Sequence, residues 1–351
     1  MKATVFHGPR DVRVESVADP RLVSPTDALV RITTAAICGS DLHVYEARSP
    51  VIPGFTLGHE GVGIVEEVGR EVSGLKRGQR VVVAGLPACG NCFYCRQGQV
   101  SQCEACGSAV FGYGPNYAGK LGDIGGAQAE ALRVPLADYT CYPLPEGIDD
   151  EAAVFLADIL PTAFFGALNG DIRPGHTVAV IGCGPVGLCA VMAAGLFGPA
   201  EVIAVDTIAY RLELVRKLGA TPVKAPDAME LVLGRTGGRG ADVVIEAVGH
   251  ESALQAAFAA VRPGGTVSAV GVFSEPVFNF PIALAFMRDL TFRVGLANIR
   301  SNIPQLARLI ESGRLDPRPL ISHRLALDNA PHGYRIFDAR SDNALKVLIK
   351  P

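Results

Sequence analysis

Apolar and polar residues alternate along the first third of the chain. Residues 2–6 and 12–17 do so on either side of Gly8-Pro9-Arg10-Asp11, which predicts a β-hairpin. Residues 27–36, 61–68 and 80–84 keep the same two-residue period, with Gly69, Gly74 and Gly78 as turns, and residues 127–134 read as a further strand. Together they predict an all-β, barrel-like first unit. From Glu151 the period becomes helical. Strands are then expected at 177–181, 201–205, 241–247 and, after the turn Arg262-Pro263-Gly264, at 265–272, with a helix from the glycine turn to about Phe197. Strands alternating with helices from about 153 to 295 predict a parallel, doubly wound sheet. Residues 303–312 read as a helix and 321–327 and 344–349 as strands, and they are assigned back to the first unit. The expected fold is α/β: a discontinuous domain of residues 1–152 and 296–351, with a nucleotide-binding domain, 153–295, inserted into it.

Composition narrows the function. The 351 residues carry a net charge of −3 without a basic stripe, which argues against nucleic acid or an anionic membrane as partner. Residues 178–200 are uncharged and long enough to suggest a membrane span. Glycines, two prolines and a change of period break that run into a buried strand, a turn and a buried helix. The first residues lack the apolar core of a signal peptide, so the nine cysteines are expected to be reduced thiols or metal ligands in a cytoplasmic protein.

Three constellations carry chemistry. The first is Cys38-Gly39-Ser40-Asp41-Leu42-His43 with Gly58-His59-Glu60 downstream. A catalytic zinc takes three protein ligands and keeps one open position. Cys38 and His59 are suitable donors, although each residue type is also common as a buried structural side chain. Asp158 is the one charge in residues 152–168, and a lone buried carboxylate is costly unless paired or metal-bound. It either supplies a third ligand or caps a helix beginning near Pro161.

The second is Cys89, Cys92, Cys95 and Cys103, spaced C-x2-C-x2-C-x7-C. Four thiolates this close suit one structural zinc that orders a loop with no core of its own. A redox pair would need only two of them, and an iron–sulfur cluster is the other metal choice. Cys106 is a spare thiol, and the spacing favours Cys103.

The third is Gly182-Cys183-Gly184-Pro185-Val186-Gly187 between a strand and a helix, with Asp206 nineteen residues past the last glycine. Such a turn brings a pyrophosphate against a helix N-terminus, and the acid meets the ribose hydroxyls. The carboxylate favours NAD over NADP.

These segments, with Glu246-Ala247-Val248-Gly249, resemble the zinc-dependent medium-chain alcohol dehydrogenase family over essentially the whole chain. Asp158-Ile159-Leu160-Pro161-Thr162 resembles its branch of bacterial secondary-alcohol and formaldehyde dehydrogenases. The resemblance implies a GroES-like β-barrel catalytic domain and a Rossmann domain. It implies two zinc ions per chain: a catalytic one on Cys38, His59 and Asp158, with Glu60 as an alternative ligand, and a structural one on the four cysteines. It places Ser40 and His43 in a proton relay. It places Thr162, Gly182, Gly184, Pro185, Val186, Gly187, Asp206, Arg211, Val248 and Val270 against NAD. It also implies homo-oligomers, dimers or tetramers. Phe165 departs from the branch, which often has histidine there. The loop after Cys103 is shorter than in the formaldehyde dismutase type, which weakens formaldehyde as substrate.

The expected activity is hydride transfer between NAD and an alcohol (secondary, polyol or related), giving the ketone or aldehyde. Ser40 and His43 would carry the proton, an imidazole being suited to transfer near neutral pH. The rivals are a zinc-independent quinone or enone reductase of the same fold and a non-catalytic dinucleotide-binding protein. The substrate pocket is expected from loops 45–57, 107–120 and 270–297.

Overall fold

Strands β1 (Lys2–Gly8) and β2 (Asp11–Ser16) form the antiparallel hairpin that the alternation predicts, with Lys2 opposite Ser16 and Phe6 opposite Val12. The computed structural model describes residues 1–48, 51–107, 109–225, 227–275 and 277–351. Ser49, Pro50, Ser108 and Pro276, in the loops expected to line the pocket, lie outside the described residues, as does Pro226. Two units result: Met1–Pro161 with Asn298–Pro351, and Thr162–Ala297.

In the first unit β3 (Ala28–Ile37) is central. It starts by alternating, with Val30 and Ile32 buried and Arg31 exposed, and ends in a fully buried run, Thr34 to Ile37, that delivers Cys38. The short β4 (Phe55–Thr56) pairs with β1. β5 (Gly61–Val68) lies antiparallel to β3, and β6 (Arg80–Val83) to β5. β7 (Ala131–Val134) joins β3, and β8 (Cys141–Pro143) joins β6. Phe6, Ile37, Leu57, Phe111 and Leu132 fill the core. Each such side chain contributes roughly 1.5–3 kcal/mol on burial.

Among the described residues the second unit has six parallel strands: β9 (Thr177–Ile181), β10 (Glu201–Asp206), β11 (Thr221–Lys224), β12 (Ala241–Glu246), β13 (Val261–Ala269) and β14 (Thr291–Val294). Their order is β11-β10-β9-β12-β13-β14. Strand order thus reverses at β9, the arrangement of a doubly wound nucleotide-binding sheet.

The last stretch returns to the first unit. β15 (Ile321–Ala326) runs parallel to β16 (Lys346–Lys350), and β16 runs antiparallel to the end of β3, Leu348 opposite Ala36. Between them lies a helix, Ala330–Asp338, that the sequence pattern did not single out.

Two expectations change. Arg262-Pro263-Gly264 is not a turn before β13 but part of it. The register jumps from Ala241–Val261 to Val243–Thr266, and Gly264 takes φ +68° in this bulge. The helical run from Glu151 is also not continuous. It consists of Asp150–Ala153, a 3-10 turn Val154–Ala157, and a new helix Ile159–Asn169. Pro161 has no N–H to donate to the Ala157 carbonyl, which accepts from Gly85 N instead at 2.9 Å. Asp158 sits at the break with φ −154° and ψ −71°. Among the described residues no single helix is long and apolar enough to cross a membrane.

Candidate active site

Three segments of the first unit converge. Cys38 follows β3, His59 precedes β5, and Asp158 occupies the helix break. Cys38 Sγ lies 3.4 Å from Asp158 Oδ2, and His59 Nε2 lies 3.1 Å from the same oxygen. Among the described residues these three form one of two donor groups whose ligand atoms all lie within 4.8 Å of one another. Cys38 and His59 are buried and Asp158 is nearly so. Thiol, imidazole and carboxylate are a donor set that fits zinc.

The charge balance also suits a cation. Burial, reinforced by the Glu60 and Asp158 carboxylates, pushes the Cys38 thiol up to about 11. Burial opposes a charge on His59, but Asp41, Cys38 and Asp158 outweigh it and hold its pKa well above the usual value. Metal binding displaces such protons.

The buried Asp41 ties two of the three segments together. Its Oδ1 lies 3.0 Å from His59 Nδ1, and its Oδ2 accepts from Cys38 N at 3.0 Å. With Nδ1 against a carboxylate, Nε2 faces the donor group. Gly58, at φ +96°, lets the chain enter: a Cβ there would stand 2.5 Å from Gln128 Cγ.

Glu60, expected as an alternative ligand, does not join the group. Its Oε2 is bonded to Lys346 Nζ, and both side chains are fully buried. Ser40 Oγ lies 3.3 Å from Cys38 Sγ and 3.4 Å from His59 Nε2. His43 is half-buried in the helix Asp41–Tyr45, outside the donor group. From the glycine-rich loop the Tyr113 ring packs edge-on to His59 at 5.6 Å and to Tyr117 at 5.5 Å.

The second donor group is Cys89, Cys92, Cys95 and Cys103. Burial works against ionising Cys103, but N–H groups of Cys89 and Cys106 outweigh it and bring the thiol down to about 7. Cys106 is buried beside Cys103 and stays outside the group, its pKa raised by burial. The lobe is pinned to the start of the helix Ile299–Glu311. Asn298 Oδ1 accepts from Ser101 N and Oγ at 3.1 and 3.0 Å, and Ser301 Oγ donates to Gly98 O at 2.9 Å.

In the second unit the turn Gly182 to Gly187 leaves the C-terminal end of β9. A Cβ on Gly187 would stand 1.7 Å from Gly182 O, so only glycine lets helix and turn close on each other. Asp206 ends β10 and closes on this turn, its Oδ2 accepting from Cys183 N at 2.7 Å and its Oδ1 from Ile208 N at 2.8 Å. Arg211 Nη1 is 3.5 Å from Asp206 Oδ2. Val248, half-exposed, and the buried Val270 follow β12 and β13, so these positions share one crest of the sheet. Thr162 is half-buried in the helix Ile159–Asn169.

Residues 24–146 match the model of the alcohol dehydrogenase GroES-like domain, and residues 185–312 match that of the zinc-binding dehydrogenases. The chain belongs to the zinc-type medium-chain alcohol dehydrogenase family. Its relatives in this family include a probable zinc-binding alcohol dehydrogenase of Mycobacterium tuberculosis, 42% identical over 100% of this chain and 89% of the relative. An alcohol dehydrogenase of Cupriavidus necator is 38% identical over 100% of this chain and 99% of that protein. The solved alcohol dehydrogenase from Thermus sp. ATN1 superposes with a TM-score of 0.94 at 46% identity, covering 100% of this chain and 99% of that one.

Sequence reading of this family member overlooked four residues around the donor group. Asp41 stood inside the quoted motif without a role. Lys346 carried a usable signal, the one charge in the apolar run of residues 344–349, which is the reasoning applied to Asp158. Gln128 and Tyr334 carried none, because nothing near them in sequence marks a buried polar contact.

Proposed function

We propose that the chain is an NAD-linked, zinc-dependent dehydrogenase that interconverts an alcohol and its ketone or aldehyde. The observation that carries this reading is the meeting of Cys38, His59 and Asp158 from three distant segments. In this reading they hold the catalytic zinc, and Cys89, Cys92, Cys95 and Cys103 hold a structural one. When bound, zinc supplies Lewis acidity toward an alcohol or carbonyl oxygen, and the nicotinamide supplies the hydride acceptor or donor.

The chain's own residues do the rest. Ser40 Oγ, within 3.4 Å of both Cys38 Sγ and His59 Nε2, receives the hydroxyl proton of the substrate and hands it on toward His43. Asp41 keeps the His59 ring in one orientation. Glu60, neutralised by Lys346, serves as buried counter-charge rather than as a ligand. We assign catalysis to the unit of Met1–Pro161 and Asn298–Pro351, and cofactor binding to Thr162–Ala297. There Gly182, Gly184, Pro185, Val186 and Gly187 receive the pyrophosphate, with Thr162, Val248 and Val270 as further contacts. Asp206 receives the ribose hydroxyls and so favours NAD over NADP. The sheet-edge strand β14, with exposed Val294, and exposed Ile282, Phe286 and Met287 support a homo-oligomer, a dimer or tetramer, joined through this surface.

The test is Cys38→Ala. Turnover across a panel of secondary, primary and polyhydroxy alcohols should vanish while binding of NADH, followed by the fluorescence of its reduced nicotinamide, persists. Near-normal turnover in this variant would contradict the zinc mechanism.

A further inference from the structure

A buried chain of polar groups leads away from the donor group to Tyr334 in the helix Ala330–Asp338. Asp41, Gln128 and Tyr334 are each 0% exposed. Gln128 Nε2 donates to Ala36 O at 3.2 Å and to Asp41 Oδ2 at 3.4 Å. Gln128 Oε1 accepts from Tyr334 Oη at 3.1 Å. These neighbours leave the amide one orientation, since two acceptors lie on one side and an O–H donor on the other. The same Asp41 carboxylate bonds Cys38 N and stands against His59 Nδ1.

We propose that Gln128, itself held by Tyr334, is a positioning residue that fixes the Asp41 carboxylate and thereby sets the metal affinity of the Cys38–His59–Asp158 group. The inference rests on the functional reading above only in taking that group as a metal site. With Gln128 in place, Asp41 cannot swing out of line with either Cys38 N or the His59 ring. Without it, one carboxylate oxygen loses a donor in a dry site, and the imidazole loses a fixed partner. Loss of such an outer partner typically weakens metal binding 10–100-fold. Tyr334 acts one step further out. Its helix, Ala330–Asp338, therefore links the returning C-terminal segment to a site assembled from the first 158 residues.

The test separates positioning from mere stability. Gln128→Leu strands the Tyr334 hydroxyl and should lower the melting temperature. Gln128→Leu/Tyr334→Phe replaces both partners by apolar groups, so stability should return toward wild type. Gln128→Glu keeps the side chain's size and its Oε1 acceptor but removes the donor to Asp41, should the leucine variants fail to fold. Zinc affinity is measured by competition with a chromophoric chelator, and the coordination geometry by the visible absorption of the cobalt-substituted protein. The four-cysteine site is the internal reference. Expected are a tenfold or greater loss of affinity at the Cys38 site in all three variants, unrecovered in the double variant, and a shifted cobalt spectrum. Affinity within twofold of wild type in the double variant and in Gln128→Glu would overturn the inference. Because the readout is metal affinity, a wild type that binds zinc but oxidises no alcohol would sink the functional reading alone.

Discussion

Cys38 Sγ lies 3.4 Å from Asp158 Oδ2 across 120 residues of chain. Two like-charged donors approach this closely at little cost only if protons or a cation lie between them. Asp158→Asn keeps the shape of the side chain and removes its charge. It should lower zinc content from two to one per chain and cut turnover by at least about a hundredfold, roughly 2.7 kcal/mol of transition-state stabilisation. Metal analysis beside steady-state kinetics checks this; two zinc ions with unimpaired turnover would count against the ligand role.

Lys346 and Glu60 form an ion pair with no exposure on either side. Removing one partner leaves the other charge stranded, which costs about 3–5 kcal/mol. Lys346→Met should therefore lower unfolding stability by that order. Glu60→Gln/Lys346→Met should recover most of it. Denaturant unfolding of the two variants decides, and equal losses in both would mean that the pair itself is not what matters.

Asp206 stands 3.5 Å from Arg211 at the crest of the second unit. On the proposed reading, Asp206→Gly removes the carboxylate that would repel a 2′-phosphate and frees Arg211 to meet one. The ratio of kcat/KM for NADP over NAD should rise by at least about tenfold, a change of 1.4 kcal/mol. An unchanged ratio would show that Asp206 does not read the ribose.

Asp242 ties the starts of three strands together, accepting from Thr177 N at 2.8 Å and Arg262 Nε at 2.6 Å. Partial burial alone would raise its pKa, but these two partners outweigh that and hold it below the usual 3.8. A depressed folded-state pKa means stability that is present above the unfolded value and lost as pH falls through the folded one. Asp242→Asn should cost about 1–2 kcal/mol at pH 7. The gap from wild type should close in acid, below the folded-state pKa. Urea titrations over a pH series measure this, and a gap that persists in acid would refute the linkage.

Much of this architecture is legible in the sequence, for identifiable reasons. The hairpin of β1 and β2 and the strands β5, β9 and β10 carry their own period and turns. The four cysteines and the glycine turn are local patterns whose chemistry depends on spacing. The residues that escaped reading depend on the tertiary fold. Gln128 and Tyr334 meet because β16 lies beside β3 and brings the helix Ala330–Asp338 back to the first unit. The break at Asp158 was half legible: Pro161 was visible, but the Gly85 N–H that takes over the Ala157 carbonyl comes from another part of the chain. The turn expected at Arg262-Pro263-Gly264 fails because a bulge inside β13 hides in an Arg-Pro-Gly sequence that looks like a turn.

The most direct test is anomalous diffraction at the zinc edge from crystals of the full chain grown with zinc and NAD. One peak should lie among Cys38 Sγ, His59 Nε2 and the Asp158 carboxylate, and a second among the sulfurs of Cys89, Cys92, Cys95 and Cys103. A four-cysteine peak with none at Cys38, His59 and Asp158 would contradict the account.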